Sequence, residues 1–236
     1  HHGRSAAGLP GERFVDFDQN HDHVGNRAHG DRIASLVGVD GARVAATAVL
    51  LSPFVPLLFM GEEYGETRPF PYFVSHTDPE LVEAVRRGRA EEFGLDPGNA
   101  VDPQAETTFL SAKLDWDARG LEPNAALLRW YRSLLQLRSE RPALAHLDPT
   151  RCTTEVFEDA RALLVRRDVP GDAVALVLAF DDEPHEIELM LTGGPWSVLL
   201  DSHADERAPL AGLGGDHATV AKLPARSALV LGNASA

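Results

Sequence analysis

Phe-Val-Asp-Phe-Asp-Gln-Asn-His-Asp-His-Val-Gly-Asn-Arg, residues 14–27, is the stretch of the chain that decides the fold. It begins with apolar residues at Val15 and Phe17, which suits a short strand. It then turns polar, and six hydrogen-bonding or charged side chains fall within eight positions: Asn20, His21, Asp22, His23, Asn26 and Arg27. A strand that ends in such a cluster and leads into a helix is typical of the catalytic face of a β/α barrel.

A second unit of the same kind follows along the chain. Residues 31–51 predict a short helix and then a longer one from about Asp40 to Ser52, because Gly38 and Gly41 interrupt the pattern. The continuous apolar run 56–60 has strand length and leads into the polar turn 61–65. Right-handed connections place the ends of parallel strands at the same edge of a sheet. The sequence therefore predicts two strand–turn units of a barrel, whereas a closed barrel needs eight.

The rest of the chain changes character twice. A long connection contains a helix from about Asp78 to Phe93, and residues 124–146 carry a clear 3.6-residue apolar period that Pro142 ends. After residue 150 the period becomes two, with turn signals between short segments. We therefore expect an α/β plus all-β chain: residues 1–148 form the last part of a (β/α)8 barrel, and residues 149–236 form a small antiparallel β-sandwich. The predicted strands are 154–157, 162–167, 173–180, 186–191, 196–201 and 219–231.

Composition excludes some partners. The net charge of −14 disfavours nucleic acid and anionic membrane surfaces, because phosphate binding needs a basic surface. The uncharged run 44–60 is shorter than the roughly 20 residues that a membrane span needs, and Pro53 and Pro56 interrupt it. Cys152 is the only cysteine, so no internal disulfide forms, and a reducing cytoplasm is the expected location.

The motif at residues 17–27 resembles the fourth conserved region of the α-amylase clan of glycoside hydrolases. With the segments 57–65, 78–89 and 113–116, it is most similar to the clan members that release trehalose from the end of an α-glucan. The resemblance covers residues 14–145, and the β-rich tail fits the C-terminal domain of the clan in position and type.

This resemblance implies a retaining hydrolase with three acidic residues on an eight-stranded barrel, which cleaves the α-1,4 bond next to a terminal trehalose unit. Asp22 matches the third acid, which hydrogen-bonds sugar hydroxyls and stabilises an oxocarbenium-like transition state. His21 matches a residue that contacts the same ring, and Asn26 and Arg27 match residues of neighbouring subsites. His23 is a further candidate, although the clan members in question usually have Gln at this position.

The same resemblance places the nucleophile Asp and the acid/base Glu on earlier barrel strands, which this chain lacks. We therefore expect the chain alone to be inactive and to need the N-terminal barrel strands of a longer parent. The implied ligand is a maltooligosaccharide or trehalose-type sugar, and no cofactor is expected. Glu62, in the second polar turn, is an additional candidate for substrate contact, with bracing of its own loop as the alternative.

Other interpretations remain open. Asp22 and Glu62 both follow predicted strands and would suit an acid/nucleophile pair, but no geometry supports one. A metal site at His21, Asp22 and His23, with His29 and Asp31, is disfavoured because adjacent residues on a strand point to opposite faces. Another clan enzyme such as a glycogen branching enzyme shares the Asn-His-Asp core. A non-catalytic carbohydrate-binding or structural module is the third alternative.

Overall fold

The computed structural model describes residues 3, 5–6, 8–96, 99–204 and 218–233, and the chain divides into two compact units. The first unit comprises three segments, which are the residues up to Asp18, the residues Asp40–Leu57, and the residues from Arg129 onward. The second unit comprises Gln19–Val39 and Leu58–Leu128. The predicted domain boundary near residue 148 does not coincide with a boundary between these two units, and it stays a prediction.

Helices and strands occupy the described residues in the following order. The helices are α1 (His21–Gly25), α2 (Ile33–Leu50), α3 (Pro79–Glu92), α4 (Glu106–Ser111), α5 (Asn124–Glu140) and α6 (Pro142–Ala145). The strands are β1 (Val15–Asp16), β2 (Val55–Pro56), β3 (Cys152–Phe157), β4 (Ala162–Val169), β5 (Asp172–Ala179), β6 (His185–Leu189), β7 (Ser197–Asp201), β8 (Thr219–Leu223) and β9 (Ala228–Asn233).

The first unit contains a short parallel strand pair. Strands β1 and β2 pair in parallel with Val15 opposite Val55, and the Leu57 amide donates to the Asp16 carbonyl at 2.9 Å. Two parallel strands agree with the prediction, but the second is wrong in its bounds. It ends at Pro56 instead of running through residue 60, because among the described residues β2 pairs only with the two-residue β1 and has no ladder to extend it.

Helix α2 bends at Gly38, as the glycine in its sequence predicts. Gly38 has φ 71° and ψ −179°, a conformation outside the helical region that glycine adopts without steric cost. By length and composition α2 is the one helix among the described residues that could cross a membrane. The buried core helix of a globular domain passes the same test, and Val44, Val49 and Leu50 are each buried.

The β-region of the first unit consists of two antiparallel sheets. The larger sheet has the order β3-β4-β5-β9-β7, and β6 pairs with β8 in the smaller one. The predicted strand 219–231 is two strands, because the chain turns between them at Arg226, whose φ is 46°. One buried cluster contains residues of both sheets, among them Val177 of β5 and Leu189 of β6. This shared core agrees with a small two-layer antiparallel domain.

Strand β5 is buried along its whole length. Its alternating residues Ala173, Ala175 and Val177 belong to the core shared with the smaller sheet. The intervening residues Val174 and Leu176 point to the opposite face and are equally buried. A strand covered on both faces reads as a continuous apolar run. At the end of β5 Asp172 accepts a hydrogen bond from the Ala143 amide at 2.8 Å, so α6 lies against this strand.

Two arginines, the half-buried Arg138 and the buried Arg167, bind carbonyl groups at and just after the C-terminal end of α2. Arg138 of α5 donates to the carbonyls of Leu50, Ser52 and Phe54. Arg167 of β4 donates to the carbonyls of Leu51, Ser52 and His146 at 2.8, 3.0 and 2.6 Å. Burial lowers the pKa of both guanidinium groups. The last carbonyls of a helix have no partner within it, so these donors fix where α2 ends against the β-region.

We predict that Arg167→Ala lowers the free energy of unfolding by about 3 kcal/mol, because buried carbonyl groups lose their donors. Arg151→Ala is the matched control, since the Arg151 side chain is 56% exposed and lies 4.0 Å from Asp148. The control should change stability by less than about 0.5 kcal/mol. Urea unfolding followed by tryptophan fluorescence measures both. Equal midpoints for the two variants would contradict the structural role of Arg167.

Candidate functional site

The polar segment that follows β1 forms one turn of helix. Asn20 has an extended backbone, with φ −146° and ψ −179°, and its side chain accepts a hydrogen bond from the His23 amide at 2.8 Å. This is N-cap geometry, for which Asn is among the preferred residues. The sequence predicts a polar turn after the first strand, and in the structure this turn is a short helix that begins after Asn20. Asp22 lies in the first turn of α1, where the helix dipole favours a negative charge.

The Asp22 carboxylate is open to solvent. Its side chain is 70% exposed, and that of the neighbouring His21 is 72% exposed. His21 Nε2 lies 3.2 Å from Asp22 Oδ1. In contrast, Val24 and Gly25 of the same helix are buried and anchor it. The carboxylate is therefore held on an anchored helical turn and is accessible to a ligand.

Asn26 and Arg27 follow on the same exposed segment. The Asn26 amide donates to the Asp22 carbonyl at 3.0 Å and closes the helical turn. Arg27 Nε lies 3.5 Å from Asp31 Oδ2. His23 is also exposed. The structure thus brings five of the six predicted site residues together on residues 21–27.

Glu62 differs from these residues because it is buried. It is 3% exposed, and its Oε2 accepts a hydrogen bond from the Phe59 amide at 3.0 Å. Glu63 accepts one from the Gly61 amide at 3.0 Å, so both carboxylates brace their own turn. This corrects the expectation that Glu62 reaches a sugar, since its carboxylate is not presented to solvent. It also removes support for an acid/nucleophile pair of Asp22 with Glu62.

Arg32, which the sequence analysis did not select as a site residue, is 1% exposed and joins two parts of the second unit. Its Nε donates to the Arg68 carbonyl and its Nη1 to the Met60 carbonyl, each at 2.7 Å. The guanidinium carbon lies 5.0 Å from the centre of the Phe59 ring. Burial lowers the pKa of this guanidinium, while nearby carboxylates oppose that shift. Arg32 thereby fixes the start of α2 against the turn that contains Glu62.

A buried polar network continues from this turn. Glu66 is 2% exposed and accepts hydrogen bonds from the Tyr64 hydroxyl at 3.0 Å and the Arg68 amide at 2.8 Å. Burial, and then the hydrogen bond to Glu66, raise the pKa of Tyr64. The Asn124 side chain donates to the Tyr64 carbonyl at 2.7 Å. Tyr64 is therefore a core residue of this turn, whereas Tyr72 is 39% exposed.

The backbone following the motif passes very close to the aromatic segment at residue 70. The Phe70 amide donates to the Gly30 carbonyl at 2.8 Å. Gly30 has φ +69°, and a Cβ at this position would lie 2.3 Å from the Pro71 nitrogen. Only glycine permits this approach together with a left-handed backbone.

The histidine-rich motif does not form a metal site among the described residues. There, no three His, Cys, Asp or Glu side chains lie close enough to hold an ion. His21 and His23 are two positions apart on a helix, which turns their side chains to nearly opposite sides.

An exposed Asn-His-Asp turn after a parallel strand, followed along the chain by an antiparallel β-domain, resembles the C-terminal part of the sugar hydrolases of the α-amylase clan. Comparison with solved structures agrees. A provisionally named alpha amylase from Salmonella typhimurium matches with a TM-score of 0.77 and 36% identity, over 98% of this chain and 37% of that chain. The alpha-amylase from H. orenii matches with a TM-score of 0.56 and 19% identity over 93% of this chain, which supports the fold alone.

Comparison with curated proteins finds relatives that share one name. The chain is 41% identical to the malto-oligosyltrehalose trehalohydrolase of Arthrobacter ramosus over 222 residues and 43% identical to that of Rhizobium sp. over 205 residues. It spans 35% and 34% of the length of these two relatives. No protein-family model matches the chain. The chain is therefore similar to one part of the malto-oligosyltrehalose trehalohydrolases.

We predict that Gly30→Ala destabilises the second unit by about 3 kcal/mol, through its left-handed backbone and its contact with Pro71. Gly88→Ala is the matched control, because no atom lies within 4 Å of a Cβ placed there, in α3. The control should be neutral or stabilising by up to about 1 kcal/mol, as expected for Gly→Ala within a helix. Thermal unfolding followed by circular dichroism compares the two. A Gly30→Ala protein as stable as the unsubstituted one would show that residues 30 and 71 are not in contact.

Proposed function

We propose that this chain is the C-terminal part of a hydrolase that cleaves the α-1,4-glucosidic bond next to the terminal trehalose of maltooligosyltrehalose and releases trehalose. The names of the curated relatives support this reaction. The observation that carries the proposal is the Asp22 carboxylate, which is held on a capped helical turn and is 70% exposed.

In the proposed reaction Asp22 binds hydroxyl groups of the sugar ring that undergoes cleavage. As this ring flattens toward an oxocarbenium ion, hydrogen bonds to its hydroxyls strengthen and contribute several kcal/mol to the stabilisation of the transition state. An exposed carboxylate has free acceptor positions for such bonds. His21, whose ring lies next to that carboxylate, contacts the same sugar in this proposal. His23, Asn26 and Arg27 contact adjacent rings.

The nucleophile and the general acid/base are proposed to lie in the N-terminal part of the parent protein. Retention requires two carboxyl groups about 5–5.5 Å apart across the bond, and the buried Glu62 is poorly suited to join such a pair. The share of the relatives that this chain spans supports a longer parent. So do the exposed apolar residues on the short parallel pair: Val15 is 57% and Val55 37% exposed. The isolated chain is therefore proposed to be inactive, and its cytoplasmic location remains a prediction.

We predict that Asp22→Asn in the full-length protein lowers kcat for trehalose release by roughly a hundredfold to a thousandfold, because a transition-state charge stabiliser is lost. The control is Asp159→Asn, an exposed aspartate in the turn between β3 and β4. It should retain full activity. Trehalose released from purified maltooligosyltrehalose is measured under initial-rate conditions, with circular dichroism to confirm that both variants are folded.

The same assay separates the alternatives. Incubating the unsubstituted protein with a linear maltooligosaccharide tests for a branching enzyme, which would create α-1,6 branch points and release no trehalose. An active full-length protein whose Asp22→Asn variant keeps its rate would mean that the motif binds sugar without a catalytic role. Either result would defeat the proposal.

A further inference from the structure

Helix α3 contacts the motif segment through one side chain. Arg89 Nη2 donates to the Gly25 carbonyl at 3.0 Å, and Arg89 Nη1 lies 3.5 Å from Asn26 Oδ1. Gly25 is the last residue of α1, so this donor satisfies a carbonyl that has no partner within the helix. The contact joins residues that are more than sixty positions apart in the sequence.

The guanidinium of Arg89 is held on several sides. Its central carbon lies 4.9 Å from the centre of the Tyr72 ring and 5.0 Å from that of Phe93. Nη1 also donates to Glu92 Oε2 at 2.7 Å. The side chain is 17% exposed, which is low for an arginine of a surface helix. Two ring contacts and an ion pair restrict the orientation of the guanidinium. Its N–H donors therefore have a fixed direction toward the Gly25–Asn26 segment.

We infer that Arg89 is a positioning residue that orients the Asn26 side chain toward a glucose ring. This inference rests on the proposed function. The guanidinium has five donors and no acceptor, so the amide group of Asn26 must turn its oxygen toward Arg89. Its Nδ2 group then points away from Arg89 and presents hydrogen-bond donors. Donors of this kind suit the hydroxyl oxygens of a sugar ring next to the one that Asp22 binds.

The position of Arg89 predicts which kinetic constant changes. Arg89 contacts the Gly25 carbonyl and the side chain of Asn26, a proposed subsite residue, and not the Asp22 carboxylate. An interaction made equally in the ground state and the transition state changes KM and leaves kcat nearly constant. A purely structural role would instead lower the active fraction, which lowers the apparent kcat at an unchanged KM.

The test compares Arg89→Ala, Arg89→Lys and Arg87→Ala in the full-length protein, with maltooligosyltrehalose as substrate. Arg87 is the matched control because it lies on the same helix with a side chain that is 66% exposed. We expect Arg89→Ala to raise KM by roughly tenfold to a hundredfold, as for a misplaced substrate-orienting group, and Arg87→Ala to leave it unchanged. Arg89→Lys should also raise KM, because an ammonium group cannot replace a planar guanidinium that contacts two aromatic rings.

Two further measurements separate positioning from a general loss of structure. Added guanidinium ion should lower the KM of Arg89→Ala and have no effect on Arg87→Ala. In addition, Asn26→Ala should raise KM. The double variant should have nearly the same KM as Asn26→Ala, because both substitutions remove the same interaction. Where Arg89→Ala does not fold, Arg89→Lys provides the comparison, since it keeps the charge and the aliphatic stem.

The outcomes are distinct. An unsubstituted protein that releases no trehalose would overturn the proposed function and this inference with it. If the unsubstituted protein is active, a native KM in both Arg89 variants would overturn the role of Arg89 alone. So would KM effects of Arg89→Ala and Asn26→Ala that multiply in the double variant.

Discussion

The candidate site depends on the hydrogen bonds that the buried guanidinium of Arg32 makes. Placing a charged group at 1% exposure is costly in free energy, which the lowered pKa of Arg32 reflects. Hydrogen bonds to the carbonyls of Met60 and Arg68, and contact with the Phe59 ring, offset that cost. Because these partners lie on either side of the second polar turn, the segment that follows the Asn-His-Asp motif is fixed to that turn.

The first unit uses the same kind of interaction. Arg138 donates to three carbonyls near the end of α2, and Arg167 donates to two carbonyls there and to that of His146. An ammonium group is a compact point charge, whereas a planar guanidinium carries five donors in a rigid fork that bridges several carbonyls at once. Only two of the 22 basic residues are lysines. At Arg32, Arg138 and Arg167 the preference for arginine over lysine has a structural use.

Local signals allowed much of the fold to be predicted. The Asp78-Pro79 pair predicts the start of α3, and the structure confirms the cap, with Asp78 accepting from the Glu80 amide at 2.9 Å. Gly38 predicts the bend of α2 for a similarly local reason. The short β2 could not be predicted, because the length of a parallel strand depends on its neighbours and an apolar run does not reveal them. Burial of Glu62 also depends on tertiary contacts, and an exposed and a buried glutamate look alike in a sequence.

The roles of Arg32 and Arg89 were missed for the same physical reason. Arg32 lies just before α2 and Arg89 lies within α3, and the carbonyl groups that they bind lie far away along the chain. Sequence patterns selected Asp22 and its neighbours as candidates because those residues are contiguous, and their chemistry stays a prediction. The supports of that site are not contiguous, so only the folded chain shows them.

The length of α1 explains why such supports are needed. A helix of five residues cannot be stable by itself, because forming the first turn fixes several backbone angles for a single hydrogen bond. The Asn20 cap stabilises one end, and Arg89 binds the carbonyl at the other. Val24 is buried beneath the turn and holds it from below. The turn that carries Asp22 therefore depends for its stability on residues outside it, because its own helix contributes almost none.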